Sequence, residues 1–525
     1  MSRLLGYPVP VGRTTFPFDP RSPWLAFGLC GLAACGGAPD RPDVVLIVVD
    51  TLRADRLSTY GYPRPTAPFL DRLATEGALF LDATAQSSWT LPSMVSMFTG
   101  RYLTDYRDFI GPEAPTLPES FARAGYRTVG AAANILLTKD AGFGRGFDHF
   151  DPRPRAQRKA DGGYASRTIE TLLRDVQPAL GAAFERDADG KRPPVFFYLH
   201  PFDPHDPYDD YPALHGVLPP EEILAVTPLV WQRGRFGLQG KAAPPTDPDW
   251  FTEWRYLDAN RAYYDLGIRF TDDALGRAFE EWRTAGWLDD AVVVFASDHG
   301  EGLWEHVDLK RAEELANAPP RDFFYQKHGA HLYQEAVHTP LVMWGKGVQP
   351  GARIADPVEN VDIFPTLLEL ASLAVPGPLH GQSLVPAMSG RKAKHNAGRT
   401  AVHSFVLHGT ALREMSTNLK LIEPTQLTRD RFGRGDELYD LDDDPFERVD
   451  IASQQPADVA RLRTALGTWR AEFPTASTFG RRADPNRSRM LKDLGYTGDH
   501  TGEDWESPPP STDPGAALKA EPLQE

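Results

Sequence analysis

The sequence predicts an α/β protein built on a large, mostly parallel central sheet flanked by helices, with a smaller α+β subdomain at its C-terminal end. Three observations predict it. From residue 43 onward, apolar runs recur, among them "DVVLIVVD", "YRTVGAAA", "VFFYLH", "AVVVFASDHG" and "TPLVMWGKG". Near-continuous Val, Ile and Phe between polar ends is the pattern of strands buried on both faces. Stretches with apolar residues at helical spacing alternate with these runs, such as "TAPFLDRLATEGALF" and "IRFTDDALGRAFEEWRTAG", and that alternation is how helices come to cover a parallel sheet. Finally, several runs end in Asp or His, and chemistry in open α/β sheets sits beyond the carboxyl ends of the strands.

The elements fall into four regions. Residues 1–35 read as an export signal: Arg13 and Arg21 precede the apolar "PWLAFGLCGLAAC", and small residues follow in "GGAPD". The apolar stretch is too short to span a bilayer. "LAAC" at 32–35 is similar to a bacterial lipobox, so the expectation is an exported, periplasmic or cell-envelope protein held to the membrane by a lipid on Cys35; a plain cleaved signal is the alternative. Cys30 and Cys35 are the only cysteines, so no disulfide is available to the body of the chain. Residues 41–390 form the main domain. Residues 391–480 change character, with "KLIEP" and "ELYDLDDDPFE" as short strands and turns before the helical "DVARLRTALGTWRAEF". From 481 to 525 the chain is rich in Pro, Gly, Asp and Ser and reads as a disordered tail.

Composition narrows the function. A chain of 525 residues with 41% hydrophobic content can bury a large core. Its net charge of -16 argues against a nucleic-acid partner, which requires a basic surface. An anionic ester substrate would need local positive charge, and a metal could supply it. Nothing in the pattern bears on oligomeric state.

The polar strand ends are best taken together. Asp50 closes "DVVLIVVD", His200 closes "VFFYLH" with His205 following in "PFDPHDPY", and Asp298 and His299 close "AVVVFASDHG". Singly, each could cap a helix, hold a turn or be a satisfied buried polar group. Five such residues on three strands point to one site. Thr90 in "SSWTLPSMVSMFTG" has two readings. A threonine ahead of a helix with proline in its first turn satisfies free backbone N–H groups. A helix N-terminus also favours negative charge, which suits an alkoxide or a bound phosphate or sulfate.

At this point the chain resembles a family. "VVLIVVDTLRAD", "SWTLPSMVSMFTGRY", "PHDPY", "SDHGE", "LYQEAVHTPLV", "VDIFPTLLELA" and "ELYDLDDDPFE", in this order, are similar to the sulfatases of the alkaline phosphatase superfamily over about residues 41–450. The resemblance implies a large α/β domain around a mixed sheet, a smaller C-terminal subdomain, one divalent metal ion and a nucleophile opening a helix. By position, Asp50, Asp298 and His299 match metal ligands and Thr90 matches the nucleophile, and these two carboxylates, imidazole and hydroxyl could together close a tetrahedral metal site. Arg53, His205 and His328 match substrate-contacting residues, and His200 is a candidate by proximity. The departures are specific. Threonine cannot become the formylglycine of the family's C-x-P-x-R pattern, Met94 replaces its arginine, and Thr51 replaces the second acid of the N-terminal Asp pair. "AANILLTKDAGF" stands where a "GKWHLG"-like segment would supply basic groups.

The reading that follows is a metal-dependent hydrolase of sulfuric or phosphoric esters, with Thr90 as nucleophile and histidines protonating the leaving oxygen. A nitrogen ligand moves the metal from calcium toward zinc or manganese. Phosphoethanolamine transferases and lipoteichoic acid synthases of the same superfamily resemble the chain in using threonine, so transfer to an alcohol is an alternative. A non-catalytic, anion-binding lipoprotein is another.

Overall fold

The computed structural model describes residues 41–480, apart from 104–108, 154–155, 159–163, 207, 210, 220–247, 308–323, 330, 390–400, 407–408 and 475–478. The expected signal with Cys35 and the expected tail beyond 480 lie outside the described residues. Among the described residues no helix is long and apolar enough to cross a membrane.

Strand β1 (Asp43–Val49) is buried along its whole length. Its side chains alternate between two cores, Val44, Leu46 and Val48 to one and Val45, Ile47 and Val49 to the other, as a strand between two helical layers must. Around it lie β2 (Ala78–Thr84), β3 (Arg127–Ala132), β4 (His149–Asp151), β5 (Val195–His200), β6 (Ala291–Ser297), β7 (His338–Gly345), β8 (Ala352–Ile354) and β9 (Val358–Glu359). The spatial order is β8-β2-β7-β6-β1-β5-β3-β4, with β9 also beside β2. β1 runs parallel to both neighbours, so that Val44 faces Phe196 of β5 and Val292 of β6.

The sheet is mostly parallel, as expected, with one reversal: β7 runs antiparallel to both β2 and β6. The helix expected over "TAPFLDRLATEGALF" ends earlier than its apolar pattern. Helix α1 covers Pro68–Glu76, and β2 starts at Ala78. The break falls at Gly77, which is extended, and only glycine fits there because a Cβ would collide with the Met343 carbonyl oxygen of β7. One face of the sheet packs helix α2 (Thr90–Thr99) and the helix Ile363–Leu370. The other packs α1 and the helices Ile169–Phe184 and Pro248–Thr284.

The C-terminal region forms a four-stranded antiparallel sheet from Ala401–Val406, Gly409–Glu414, Leu419–Pro424 and Glu437–Asp440. The helix Pro456–Glu472 lays Leu462, Leu466 and Trp469 against Leu412 and Leu421 of this sheet, and Tyr102 and Val361 of the main domain complete the cluster. A buried polar knot ties the two parts together. His306 meets Glu335 Oε1 at 2.6 Å through Nδ1 and the Glu447 carbonyl at 3.0 Å through Nε2. Lys420 pairs with Glu447 at 2.7 Å and donates to the Leu332 carbonyl. The ring of Tyr333 stacks on His306 at 3.8 Å, and its hydroxyl donates to Glu437.

Burial alone would lower the pKa of His306, but the Glu335 and Glu447 carboxylates outweigh it and raise the imidazole to about 9. A folded value above the ordinary value of about 6.5 gives stability that is complete below pH 6.5 and is lost as pH rises through about 9. Chemical denaturation should therefore show wild-type stability falling by about 2–3 kcal/mol between pH 6.5 and 9.5. A His306→Gln variant should lack that fall. Parallel curves for the two proteins would contradict the assignment.

Candidate active site

Three adjacent parallel strands deliver the site. Asp50 follows the last residue of β1, His200 ends β5, and Asp298 and His299 follow β6. β3 ends two residues before Asn134, and α2 begins at Thr90. All six side chains are fully buried. The four ligands matched from sequence, Asp50, Thr90, Asp298 and His299, are thereby brought to one place.

Hydrogen-bond chemistry fixes the orientation of Thr90. His299 Nδ1 lies 2.7 Å from the Gly300 carbonyl, which can only accept, so Nδ1 carries the proton and Nε2 is bare. Thr90 Oγ1 lies 3.1 Å from that Nε2, so its hydroxyl donates there. The Asn134 amide donates to Thr90 Oγ1 at 3.2 Å and to Asp50 Oδ2 at 2.5 Å. Its own oxygen accepts from Leu136 N, which fixes which end of the amide faces the site. Thr90 is therefore not the helix cap. The cap position is Trp89, in extended conformation and without a side-chain cap bond, and Thr90 is the first residue inside the helix. Its hydroxyl bonds across the site instead.

The carboxylates are held from one side only. Asp298 Oδ1 accepts from Thr51 N at 3.2 Å and His299 N at 2.9 Å. Asp298 Oδ2 and Asp50 Oδ1 have no hydrogen-bond partner among the described residues. His299 Nε2 lies 3.4 Å from the first and 3.9 Å from the second. His200 Nε2 is 3.4 Å from Asp50 Oδ2, and its Nδ1 is 3.0 Å from the Tyr198 hydroxyl. Asp50, His200 and Asp298 each offer a ligand atom within 4.8 Å of the others. Burial raises Asp50 to about 7 and raises Asp298, and it lowers His200 to about 4 and also lowers His299. Two orphaned carboxylate oxygens facing a bare imidazole nitrogen, with no cationic side chain of the described residues among them, are a donor set that fits one divalent metal ion.

Thr51 sits in the left-handed region, φ 54°, unusual for a β-branched residue. The strain, of roughly 1–3 kcal/mol, accompanies the aim of its N–H at Asp298. Tyr264 secures the bend by donating to the Thr51 carbonyl at 2.7 Å and accepting from Arg53 N at 3.0 Å. Further out, the His299 and His328 rings lie 4.6 Å apart and the His328 and His205 rings 4.9 Å apart, a file of imidazoles leading away from Thr90. His328 Nδ1 meets Glu301 at 3.1 Å, and His205 stacks on Phe202. Arg53 commits all three guanidinium nitrogens to Asp55, Glu305 and the Glu301 carbonyl, so it fastens the chain that follows His299. Met94, where the family has arginine, lies in the core.

Asn134 and Tyr264 were not singled out from sequence. For Asn134 the signal was present, since "YRTVGAAAN" puts a polar residue just past a buried strand, as at Asp50.

A metal-fitting cluster of carboxylates and imidazoles at the carboxyl ends of a mostly parallel sheet, with a hydroxyl opening a helix beside it, defines a hydrolase of the alkaline phosphatase type. The chain belongs to the sulfatase family, whose model matches residues 42–373, and a second model, N-sulphoglucosamine sulphohydrolase, C-terminal, matches residues 323–469. Similar proteins include arylsulfatase K of Canis lupus familiaris, 24% identical over 470 residues and covering 81% of each chain. Another is the Delta 4,5-hexuronate-2-O-sulfatase of Bacteroides thetaiotaomicron, 24% identical over 459 residues, 80% of this chain and 87% of that one. Among solved structures, the phosphonate monoester hydrolase of Agrobacterium radiobacter superposes with a TM-score of 0.60 at 21% identity, covering 82% of this chain and 96% of that one. A protein in complex with its substrate D-glucosamine-2-N,6-O-disulfate also gives 0.60, at 18% identity, covering 84% and 100%. At these identities the structures establish the fold. The protein is a sulfatase-like ester hydrolase.

The raised Asp50 pKa carries a stability cost in the ion-free protein. The folded state holds a proton up to about pH 7 that the unfolded chain releases near pH 4, so stability falls across that window and then levels off. In chelator at pH 7.5, Asp50→Asn should be more stable than wild type by roughly 2–4 kcal/mol, and the two should converge near pH 4. Equal stability at both pH values would remove Asp50 as the source of the cost.

Proposed function

We propose that the protein is a metal-dependent hydrolase of sulfuric, phosphoric or phosphonic esters in which Thr90 is the nucleophile. The observation that carries this reading is the Thr90 hydroxyl held between His299 Nε2 and the Asn134 amide, inside the buried carboxylate cluster. Asp50, Asp298 and His299, with Thr90, would hold the ion, zinc or manganese rather than calcium because of the imidazole nitrogen. A bound ion there supplies a lowered hydroxyl pKa and screening of the ester's charge.

The chain's residues supply the remainder. Thr90 gives up its hydroxyl proton to water, and Oγ forms a bond to the sulfur or phosphorus of the ester as the bond to the leaving oxygen breaks. That oxygen takes a proton from His328 or His205, the imidazoles lying outward of His299. Asn134 directs one Thr90 lone pair by donating to it. Water then attacks the sulfur or phosphorus of the threonine ester and regenerates the hydroxyl. The names of the relatives, sulfatases and a phosphonate monoester hydrolase, support an anionic ester as substrate. Threonine lacks the geminal hydroxyl by which a formylglycine hydrate expels sulfate, so its ester must be resolved by attack at the central atom. That step is easier at phosphorus than at sulfur, and turnover of phospho- or phosphonoesters should at least match that of sulfate esters. We place the protein at the cell envelope, anchored by a diacylated Cys35. Mass spectrometry of the native N-terminus tests this, and an unmodified N-terminus upstream of Cys35 would refute it.

The test of the mechanism is kcat/KM for aryl sulfate, phosphate and phosphonate esters with metal added back. Thr90→Ala should lower turnover by at least about 10³-fold and shift stability by no more than about 1 kcal/mol. Acid quenching of wild type should trap the phosphoryl group on Thr90. Sulfate-only activity surviving in Thr90→Ala would overturn both the nucleophile and the preference.

A further inference from the structure

We propose that His200 is itself a ligand of the divalent ion, giving the centre a second imidazole nitrogen beside that of His299. The inference rests on the metal reading above and adds a residue to it. β5 pairs in parallel with β1, Leu199 opposite Ile47, which brings the last residue of β5 to the base of the site beside Asp50. His200 is fully buried, and its Nε2 lies 3.4 Å from Asp50 Oδ2.

That separation is informative. A hydrogen bond from an imidazole to a carboxylate closes to about 2.7–2.9 Å, and two buried side chains on adjacent strands could approach that closely. Ligand atoms at about 2.1 Å from a shared four- or five-coordinate ion stand about 3.0–3.6 Å apart. His299 Nε2 shows the same 3.4 Å spacing to Asp298 Oδ2. Asp50, His200 and Asp298 each offer a ligand atom within 4.8 Å of the others, and Asp50 and Asp298 each keep one oxygen, Oδ1 and Oδ2 respectively, without a hydrogen-bond partner among the described residues. The Tyr198 hydroxyl lies 3.0 Å from His200 Nδ1; with Nδ1 carrying the ring proton toward it, the tautomer that an ion at Nε2 requires, it makes the contact that metal-bound imidazoles characteristically make. Two imidazoles and two carboxylates form a nitrogen-rich set that favours zinc-like ions over calcium.

The rival role for His200 is to orient Asp50 by donating Nε2–H to it. His200→Gln separates the two, since a glutamine amide can still donate to Asp50 but is a poor ligand. The experiment is zinc K-edge X-ray absorption on the zinc-loaded protein, which counts imidazole ligands by their ring scattering, together with zinc content. We expect two imidazoles in wild type and one in His200→Gln. One imidazole in wild type, or an unchanged count in the variant, overturns the proposal and leaves the metal-dependent hydrolase standing. Wild type that takes up no zinc or manganese overturns that broader reading. Should His200→Gln fail to fold by circular dichroism, the wild-type count still decides.

Discussion

Two carboxylates, Asp50 and Asp298, are fixed by adjacent parallel strands with their side chains fully buried, and most of the surrounding structure follows from that constraint. Taking an ionised carboxylate out of water costs several kcal/mol unless it is paired and hydrogen-bonded. The chain supplies donors on one flank only: Asn134 to Asp50, and the Thr51 and His299 amides to Asp298. The opposite oxygens face the His299 imidazole. Such an arrangement is stable when a cation completes it and strained when none does. The left-handed backbone at Thr51 belongs to the same arrangement, since the same residue donates its N–H to Asp298 and the chain bends immediately after that contact.

The segment after His299 is fastened on both sides, which is how a loop can hold catalytic groups to tenths of an ångström. Arg53 grips it through the Glu301 carbonyl and Glu305, and Arg56 adds a longer contact to Glu305 at 3.5 Å. A few residues on, His306 ties it to Glu335 and to the C-terminal subdomain through Glu447. The small antiparallel sheet is therefore coupled to the chemistry without contributing a residue to the cluster around Thr90. The buried partners make this coupling stiff. Each charge has an opposite charge within hydrogen-bonding distance, so removing one would leave the other exposed to the full cost of burial.

The sequence made some of this legible and hid the rest for physical reasons. Apolar runs located β1, β3, β5, β6 and β7, and the polar residue at the end of a run marked Asp50, His200 and Asp298, because burial and strand termination are local properties of composition. Strand direction is not local. "HTPLVMWG" reads the same whether β7 runs with its neighbours or against them, and only its pairing with β2 and β6 decides. "GALF" continues the apolar spacing of α1 and so hides β2, and the carbonyl that leaves room only for glycine at 77 comes from a strand more than two hundred residues away. Arg53 matched a substrate-contacting position in the motif, yet where its guanidinium goes depends on Asp55 and Glu305. Thr90 shows the limit most clearly. Its sequence context fits a cap and a nucleophile equally, and the partners that choose between them, His299 and Asn134, are distant in the chain.

The departures from the family pattern bear on whether the site still works. Replacing an acid by Thr51 and an arginine by Met94 removes one charge of each sign, so the balance of the centre is kept while its surroundings become more apolar. Lower polarity raises the value of every remaining electrostatic contact to a reacting group. It also raises the cost of keeping Asp50 and Asp298, whose pKa values burial lifts well above the ordinary carboxylate range. A chain that had lost turnover would gain stability by exchanging either acid for a neutral residue, since retained strain of this kind is a burden that selection for function alone maintains. Both acids remain, with His299 bare at Nε2 between them and the Thr90 hydroxyl pointed at it. That geometry argues for a site under selection for chemistry, with an unmodified hydroxyl in the place where the family carries a modified one.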